Sequence, residues 1–150
     1  MPQDSAGTEA RETRERLGRA YEQAGEAYRK KDAAALMKLV TDDFSQRMPD
    51  GQVIRLDQVE PFLRDWFATA DAVTDYEVRI GDLTLTGAEA VAMITENVTT
   101  RFAGPDGALH ERTQANTARA TWTHTPGGWR IRRSEYLDGR MLVDGAPAQF

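Results

Sequence analysis

The chain has 150 residues, of which 40% are hydrophobic and 29% are charged, with no cysteine and a formal net charge of −5. A chain of this length forms one domain with a substantial core. The absence of cysteine excludes disulfide scaffolds, thiol catalysis and Cys-ligated metal sites. No stretch approaches the ~20 consecutive apolar residues of a membrane span. The acidic balance argues against a partner bound through its phosphate groups, nucleic acid included.

The first residues, Met1 to Gly7, contain no charged segment followed by an apolar one, so no signal peptide is visible and a cytoplasmic location is expected. A signal peptide removed earlier would leave the same sequence, and this alternative stays open.

Hydrophobic periodicity predicts a long first helix from about Thr8 to Lys31, with Leu17, Tyr21, Ala24 and Tyr28 recurring at spacings of three and four. Its apolar stripe is narrow and partly alanine, so it needs a sheet to pack on.

Asp32 is placed to cap a short second helix over 33–40. Two short strands, 44–48 and 52–56, flank Pro49-Asp50-Gly51, which is a hairpin signal. A third helix follows, with Asp57 and Glu60 in the spacing of a capping box and Trp66 on its apolar face.

From Asp71 the period of the apolar residues changes to two, which indicates strands. Short strands are predicted over 76–80 and 83–85, followed by long ones over 90–102, 109–124 and 129–137, joined by turns at 104–107 and 125–128. The predicted fold is α+β, with three N-terminal helices on a strongly curved, mainly antiparallel sheet. The core of this single domain, residues 1–150, is expected over about 17–137, with a flexible start and a flexible tail after Arg140.

If Trp129 faces the core, antiparallel pairing predicts an inner face that is apolar near Trp129 and polar at its other end. This gradient is typical of a cup that is filled at one end and open at the other. The candidate inner residues beyond the apolar end are Met93, Asn97, Gln114, Asn116, Arg133 and Glu135.

Arg133 and Glu135 are the first choice for the pocket, because their spacing of two places them on one face and a guanidinium can orient a carboxylate ligand. The alternative is a pair that satisfies itself at the rim, or a register slipped by one residue that turns both outward. The amides of Asn97, Gln114 and Asn116 could be satisfied by a ligand or by a water network.

Tyr21 and Tyr28 could point their hydroxyls into the cavity, although packing with the hydroxyl at the core boundary is the commoner explanation for a tyrosine. Trp66 is likewise a candidate for the pocket wall or for ordinary packing. His110 and His124 lie at or near turns, and Asp42 and Asp43 fit a helix-terminating turn. No metal and no cofactor are predicted.

The run from Lys31 to Phe44, the Met48-Pro49-Asp50-Gly51 segment and the closing Gly127-Gly128-Trp129-Arg130-Ile131 strand resemble the NTF2-like superfamily. That superfamily includes ketosteroid isomerases, SnoaL-type polyketide cyclases, limonene-epoxide hydrolases, scytalone dehydratase, a kinase association domain and many small bacterial proteins. The resemblance implies a cone-shaped sheet wrapped round the helices, a pocket at its mouth and a homodimer.

The resemblance does not carry over the catalytic residues of the enzyme branches. Met48 stands where a ketosteroid isomerase has its carboxylate base, while Ala120 and Ala24 stand near its two hydrogen-bond donors. The inner positions show neither the carboxylate–arginine cluster of the epoxide hydrolases nor the paired histidines of scytalone dehydratase.

The sequence therefore predicts a small-molecule-binding NTF2-like protein that takes a hydrophobic or carboxylate ligand and has no membrane or nucleic-acid partner. The alternatives are a homo-oligomerising interaction module and a cofactor-independent isomerase, cyclase or lyase. A homodimer is expected through the outer face of the sheet, which is predicted to carry Ile94, Glu96, Val98, Thr117, Arg119, Thr121, Arg130, Arg132 and Tyr136.

Overall fold

The computed structural model describes residues 2–148, with side chains described from residue 7 onward. The sequence-based statements about Met1 and about the end of the tail at Phe150 lie outside these residues. The helices are α1 (Pro2–Arg29), α2 (Ala33–Met37) and α3 (Leu56–Thr69). The strands are β1 (Val40–Arg47), β2 (Val53–Arg55), β3 (Ala72–Thr86), β4 (Glu89–Ala103), β5 (Leu109–Thr125), β6 (Gly128–Val143) and β7 (Ala146–Ala148).

The predicted order of helices and strands is confirmed, with shifts at the boundaries, except that the two short strands predicted over 76–80 and 83–85 form one strand, β3. The side chain of Asp32 accepts a hydrogen bond from the backbone N–H of Ala35 at 3.1 Å and begins α2 as expected. The N-cap of the third helix is Arg55, two residues before the predicted Asp57, and Gln58 Oε1 accepts from the backbone N–H of Arg55 at 3.1 Å. The expected tail instead completes β6 and adds β7, which pairs with it.

The strands form one sheet in the order β2-β1-β6-β5-β4-β3, with β7 beside β6. All neighbours are antiparallel except β1 and β6, which run parallel. The sheet is strongly curved, as predicted, and the helices cover its inner face. No helix within residues 2–148 is long and apolar enough to cross a membrane.

The core lies between α1 and the inner face of the sheet. Leu17 and Trp122 are fully buried, and small alanines on β4 and β5 let the helix approach the strands closely. The Nε1–H of Trp122 donates to the hydroxyl of Tyr21 at 3.3 Å, which satisfies the indole deep in the core. A second cluster, including Phe67 and Val98, holds α2 and α3 against the sheet.

The predicted face of β4 was wrong by one residue. Even-numbered residues such as Ile94, Glu96 and Val98 are buried on the inner face, whereas Met93 and Asn97 point to the outer face. The cause is the turn before β5, which extends to residue 108 because Gly104 N–H donates to the carbonyl of Ala108 at 2.9 Å. One extra loop residue moves every side chain of the partner strand to the opposite face.

The placement of Arg133 and Glu135 on the inner face was also wrong. In the pairing of β5 with β6, Trp122 lies opposite Ile131, but the preceding Thr121 lies opposite Arg133. Residue 132 is therefore an extra residue in a bulge, and the side chains of β6 beyond it point to the opposite face of the sheet. Arg133 is exposed on the outer face, and Glu135 contacts Arg119 there at 3.8 Å. The same bulge turns Tyr136 inward, against the expectation that it lies outside.

Candidate functional site

A cavity opens between α3, the β1–β2 hairpin and the polar half of the inner face. Its outer compartment has a volume of about 400 Å³, and an inner compartment of about 100 Å³ extends toward Trp122. Both compartments share Tyr28, Gln46, Leu63, Glu96 and Tyr136. The remaining wall of the outer compartment is mainly apolar and consists of Met48, Pro49, Asp50, Gln52, Ile54, Phe62, Trp66, Val98, Gln114 and Asn116.

Glu96 lies where the two compartments meet and is 7% exposed. The hydroxyl of Tyr76 donates to its Oε2 at 2.9 Å, and Asn116 Nδ2 donates to its Oε1 at 3.3 Å. Asn116 reaches it from the directly opposite position on β5. The two partners fix the plane of the carboxyl group at the boundary of the cavity.

Burial raises the pKa of Glu96 above the ordinary value of 4.5, while hydrogen bonds from Tyr76, Asn116 and Tyr136 act in the opposite direction. Burial outweighs them, because a carboxylate loses most of its hydration in this apolar enclosure. The neutral acid is therefore favoured over a wider pH range than for an exposed glutamate. In its neutral form this carboxyl group can donate a proton or a hydrogen bond to a ligand.

Three tyrosines surround this carboxyl group. Tyr28 stacks on Tyr76 with ring centroids 4.5 Å apart, and Tyr136 lines both compartments together with Glu96. Burial raises the pKa of the Tyr76 and Tyr28 hydroxyls, and the nearby carboxylate followed by burial raises that of Tyr136. The hydroxyls therefore remain protonated and serve as hydrogen-bond donors.

Arg112 supports the far end of the polar wall, on the same face as Gln114. Its guanidinium lies 5.8 Å from the ring centroid of Trp66 and 5.4 Å from that of Phe102, and its Nε donates to Thr100 Oγ1 at 3.3 Å. Its Nη2 is buried with no hydrogen-bond partner among the described residues. These cation–π contacts hold Trp66 in position at the cavity.

The structure brings some of the predicted pocket residues together and separates others. Gln114, Asn116, Tyr28 and Trp66 line the outer compartment, and Tyr21 lines the inner one, with its hydroxyl accepting from Trp122. Neither compartment is lined by the other four predicted residues, because the strand registers place them on the outer face of the sheet. These are Met93, Asn97, Arg133 and Glu135.

Sequence reasoning missed Glu96, Tyr76 and Tyr136 as site residues. A signal for Glu96 was present, because it is the only acidic residue after Glu89 in a strand whose alternate positions Ala90, Ala92, Ile94 and Val98 are small or apolar. A charge in such a series is expensive to bury unless it is paired or neutral. Among the described residues, no group of three or more histidine, cysteine or acidic side chains could hold a metal ion.

Residues 18–135 match the family model described as a SnoaL-like domain. The chain belongs to this family. This match confirms the resemblance to the NTF2-like superfamily that was inferred from the sequence. A comparison with curated proteins gave no match.

Solved structures resemble the SnoaL-like domain over most of its length. A conserved protein from Planctomyces limnophilus is 16% identical, with a TM-score of 0.72 and coverage of 92% of this chain and 99% of that one. A candidate scytalone dehydratase from Novosphingobium aromaticivorans is 13% identical, with a TM-score of 0.74 and coverage of 89% of each chain. A candidate dehydratase from Streptomyces avermitilis is 19% identical, with a TM-score of 0.64 and coverage of 94% and 99%. At these identities the likeness shows the fold alone.

Proposed function

We propose that this SnoaL-like domain binds a small, mainly apolar organic molecule in the cone cavity, with Glu96 as the group that hydrogen-bonds its polar atom. The observation that carries the proposal is a buried carboxyl group at the boundary of an apolar cavity, held by Tyr76 and Asn116. A cavity of about 400 Å³ has room for a molecule of two or three fused rings.

The chemistry of the site favours a carbonyl or hydroxyl compound as the ligand. A neutral Glu96 can donate a hydrogen bond to a carbonyl oxygen, and the ionised form can accept one from a hydroxyl group. The mainly apolar wall, including Trp66 and Val98, lowers the local polarity and strengthens either interaction.

A second candidate function is proton transfer on that ligand, as in a cofactor-independent cyclase, isomerase or dehydratase. The specific support is the raised pKa of Glu96 together with tyrosine hydroxyls in the same enclosure. A carboxyl group whose pKa lies closer to neutrality can exchange a proton with a bound substrate in both directions. The likeness to the candidate dehydratases favours this class only through the shared fold.

The binding experiment compares 2-acetylnaphthalene with 2-ethylnaphthalene, which has the same rings but no carbonyl oxygen, by isothermal titration calorimetry. The wild-type protein should bind the ketone about tenfold more tightly, which corresponds to one hydrogen bond. Binding of neither compound would contradict the proposed function, and equal binding would contradict the role of Glu96.

Proton transfer is tested separately by deuterium exchange at the methyl group of the bound ketone, followed by NMR. Glu96→Gln keeps the shape of the side chain but removes its capacity to take up a proton. The matched control is Glu135→Gln, which makes the same change on the outer face of the sheet. Exchange that is lost only in Glu96→Gln supports an enzyme, and exchange no faster than in buffer leaves the binding function alone.

The family resemblance also supports a homodimer through the outer face of the sheet. The residues available there differ from those expected, because Ile94, Val98 and Tyr136 are on the inner side. Val91, Met93 and Thr121 lie on the outer face and are only half-buried in the single chain. An interaction module built on this face remains compatible with ligand binding in the cavity.

A further inference from the structure

A second concave surface, which we call the basic groove, lies beside the β5–β6 turn, and Glu96 is not among its lining residues. It has a volume of about 370 Å³. It is formed by α1, the segment after α2, and the β5–β6 turn. Its lining residues with charged, polar or aromatic side chains are Arg16, Arg19, Gln23, Lys38, His124, Trp129 and Arg130.

The charge of the basic groove differs in sign from that of the whole chain. Four basic side chains line it, Arg16, Arg19, Lys38 and Arg130, and no acidic side chain among the described residues does so. The chain as a whole has a formal net charge of −5. Like charges placed together repel one another, so an arrangement of this kind is most stable when an anion lies among them.

The secondary structure explains how these cations converge. Arg16, Arg19 and Gln23 follow at spacings of three and four, so they lie on one face of α1. Lys38 follows directly after α2, and Arg130 lies on β6 just beyond the turn. Three separate segments of the chain thus supply positive charge to one concavity.

Two aromatic rings lie in the same groove. His124 and Trp129 face each other across the β5–β6 pairing, with ring centroids 5.1 Å apart. Trp129 is partly buried against the core, so its ring is held in place, whereas His124 is exposed. A planar ligand ring can stack on such a surface while its charged groups contact the arginines.

We propose that the basic groove binds a small organic phosphate that carries a planar ring, with the phosphate groups among the four cations and the ring against Trp129 and His124. Guanidinium groups match phosphate oxygens in geometry and can form paired hydrogen bonds with them. Glu9 and Glu12 line a neighbouring groove that shares Arg16, His124 and Trp129 with the basic groove. A ligand with several negative charges therefore competes best with these carboxylates for Arg16. Glu96 does not line the basic groove, which shares Ala20 and Leu39 with the inner compartment of the first cavity.

The test uses ADP, inorganic pyrophosphate and adenosine as probes, titrated into the full chain at low ionic strength. ADP should bind at one saturable site, more tightly than pyrophosphate and much more tightly than adenosine. The double variant Arg16→Gln/Arg19→Gln should weaken ADP binding by roughly ten- to hundredfold, as expected for lost hydrogen bonds to a charged group.

The matched control is Arg11→Gln/Arg14→Gln, which removes the same charge from the same helix outside the groove. Arg14 lies away from the groove, where its Nη1 donates a hydrogen bond to the carbonyl oxygen of Ile80 at 2.9 Å. This control should bind ADP within about twofold of the wild type. All four arginines are exposed, so both variants are expected to fold. Absence of saturable ADP binding, or equal weakening in both variants, would overturn the proposal. ADP binding no tighter than that of pyrophosphate would overturn the role of the two rings.

Discussion

The hydroxyl of Tyr76 donates a hydrogen bond to Oε2 of Glu96 at 2.9 Å, and both side chains are buried between the core and the cavity. This pair couples the stability of the fold to the ionisation of the site. Burial raises the pKa of Glu96, so the stabilisation that the neutral acid provides is complete below the unfolded pKa and is lost as the pH rises through the folded pKa. The Tyr76 hydroxyl reduces that loss, because it stabilises the ionised form.

Tyr76→Phe should therefore destabilise the protein more at alkaline than at acid pH. The expected cost is about 1.5–3 kcal/mol where Glu96 is ionised and about 1 kcal/mol or less where it is neutral, since hydrogen bonds to charged groups are stronger. Urea unfolding at about pH 5 and about pH 8 measures the difference. Tyr28→Phe removes a hydroxyl from the adjacent stacked ring and is the control. Equal losses at both pH values in Tyr76→Phe would contradict the coupling.

The fold was predictable from the sequence because its signals are local and repeated. The spacing of Leu17, Tyr21 and Ala24 defines the buried face of α1, and Asp32 caps α2 as its position suggested. Alternation of apolar residues predicts a strand reliably, but it does not by itself tell which of two mixed faces is inside.

The candidate site was less predictable, because each error arose from a single residue in the pairing. Ala108 lengthens the turn before β5 and the bulge at residue 132 interrupts β6, and neither has a distinctive sequence signature. The first shift places Glu96 rather than Asn97 on the inner face of the sheet. The second places Tyr136 there rather than Arg133. The inner positions of β5, Gln114 and Asn116, were predicted in the right place because they are on the same strand as Trp122.

The assigned face of β4 can be tested by two neighbouring substitutions. Val98→Ala removes a side chain that is 4% exposed, and should lower the free energy of unfolding by about 1.5–3 kcal/mol. Asn97→Ala alters the outer face and should change it by no more than about 0.5 kcal/mol. Chemical denaturation of both variants gives the comparison. A larger loss for Asn97→Ala than for Val98→Ala would mean that the faces are reversed.

His110 ties the turn before β5 to the turn after β6. Its Nδ1 lies 2.6 Å from Asp144 Oδ2 and its Nε2 lies 3.1 Å from Asp106 Oδ1. The hydrogen bond with Asp144, which has the larger effect, and that with Asp106 raise the pKa of His110 above 6.5. The stabilisation is thus complete below the unfolded pKa and disappears as the pH rises through the folded pKa.

Asp144→Asn tests this contact. Asn tolerates the positive φ of 51° at this position and can still accept from the backbone N–H of Glu111. The melting temperature of the variant should fall below that of the wild type at about pH 5.5, and the gap should narrow toward about pH 9. A gap that is constant across this range would show that the charge on His110 makes no contribution.

The outer face of the sheet should form a homodimer. Met93 lies there opposite Arg119, and Met93→Glu would place a charge in the expected interface. Size-exclusion chromatography with light scattering should give a dimer for the wild type and a monomer for this variant, with Asn97→Ala as the control that changes the same face without adding charge. A wild-type monomer at every concentration would remove the prediction.

The titration of the Glu96 carboxyl group tests most directly the claim that a neutral acid faces a ligand cavity. Side-chain carbon NMR of glutamate-labelled protein identifies its resonance as the one absent from Glu96→Gln. The midpoint should lie above 4.5, and this resonance should shift further when 2-acetylnaphthalene is added. A midpoint at or below 4.5, with no response to the ketone, would contradict a neutral Glu96 at the ligand cavity.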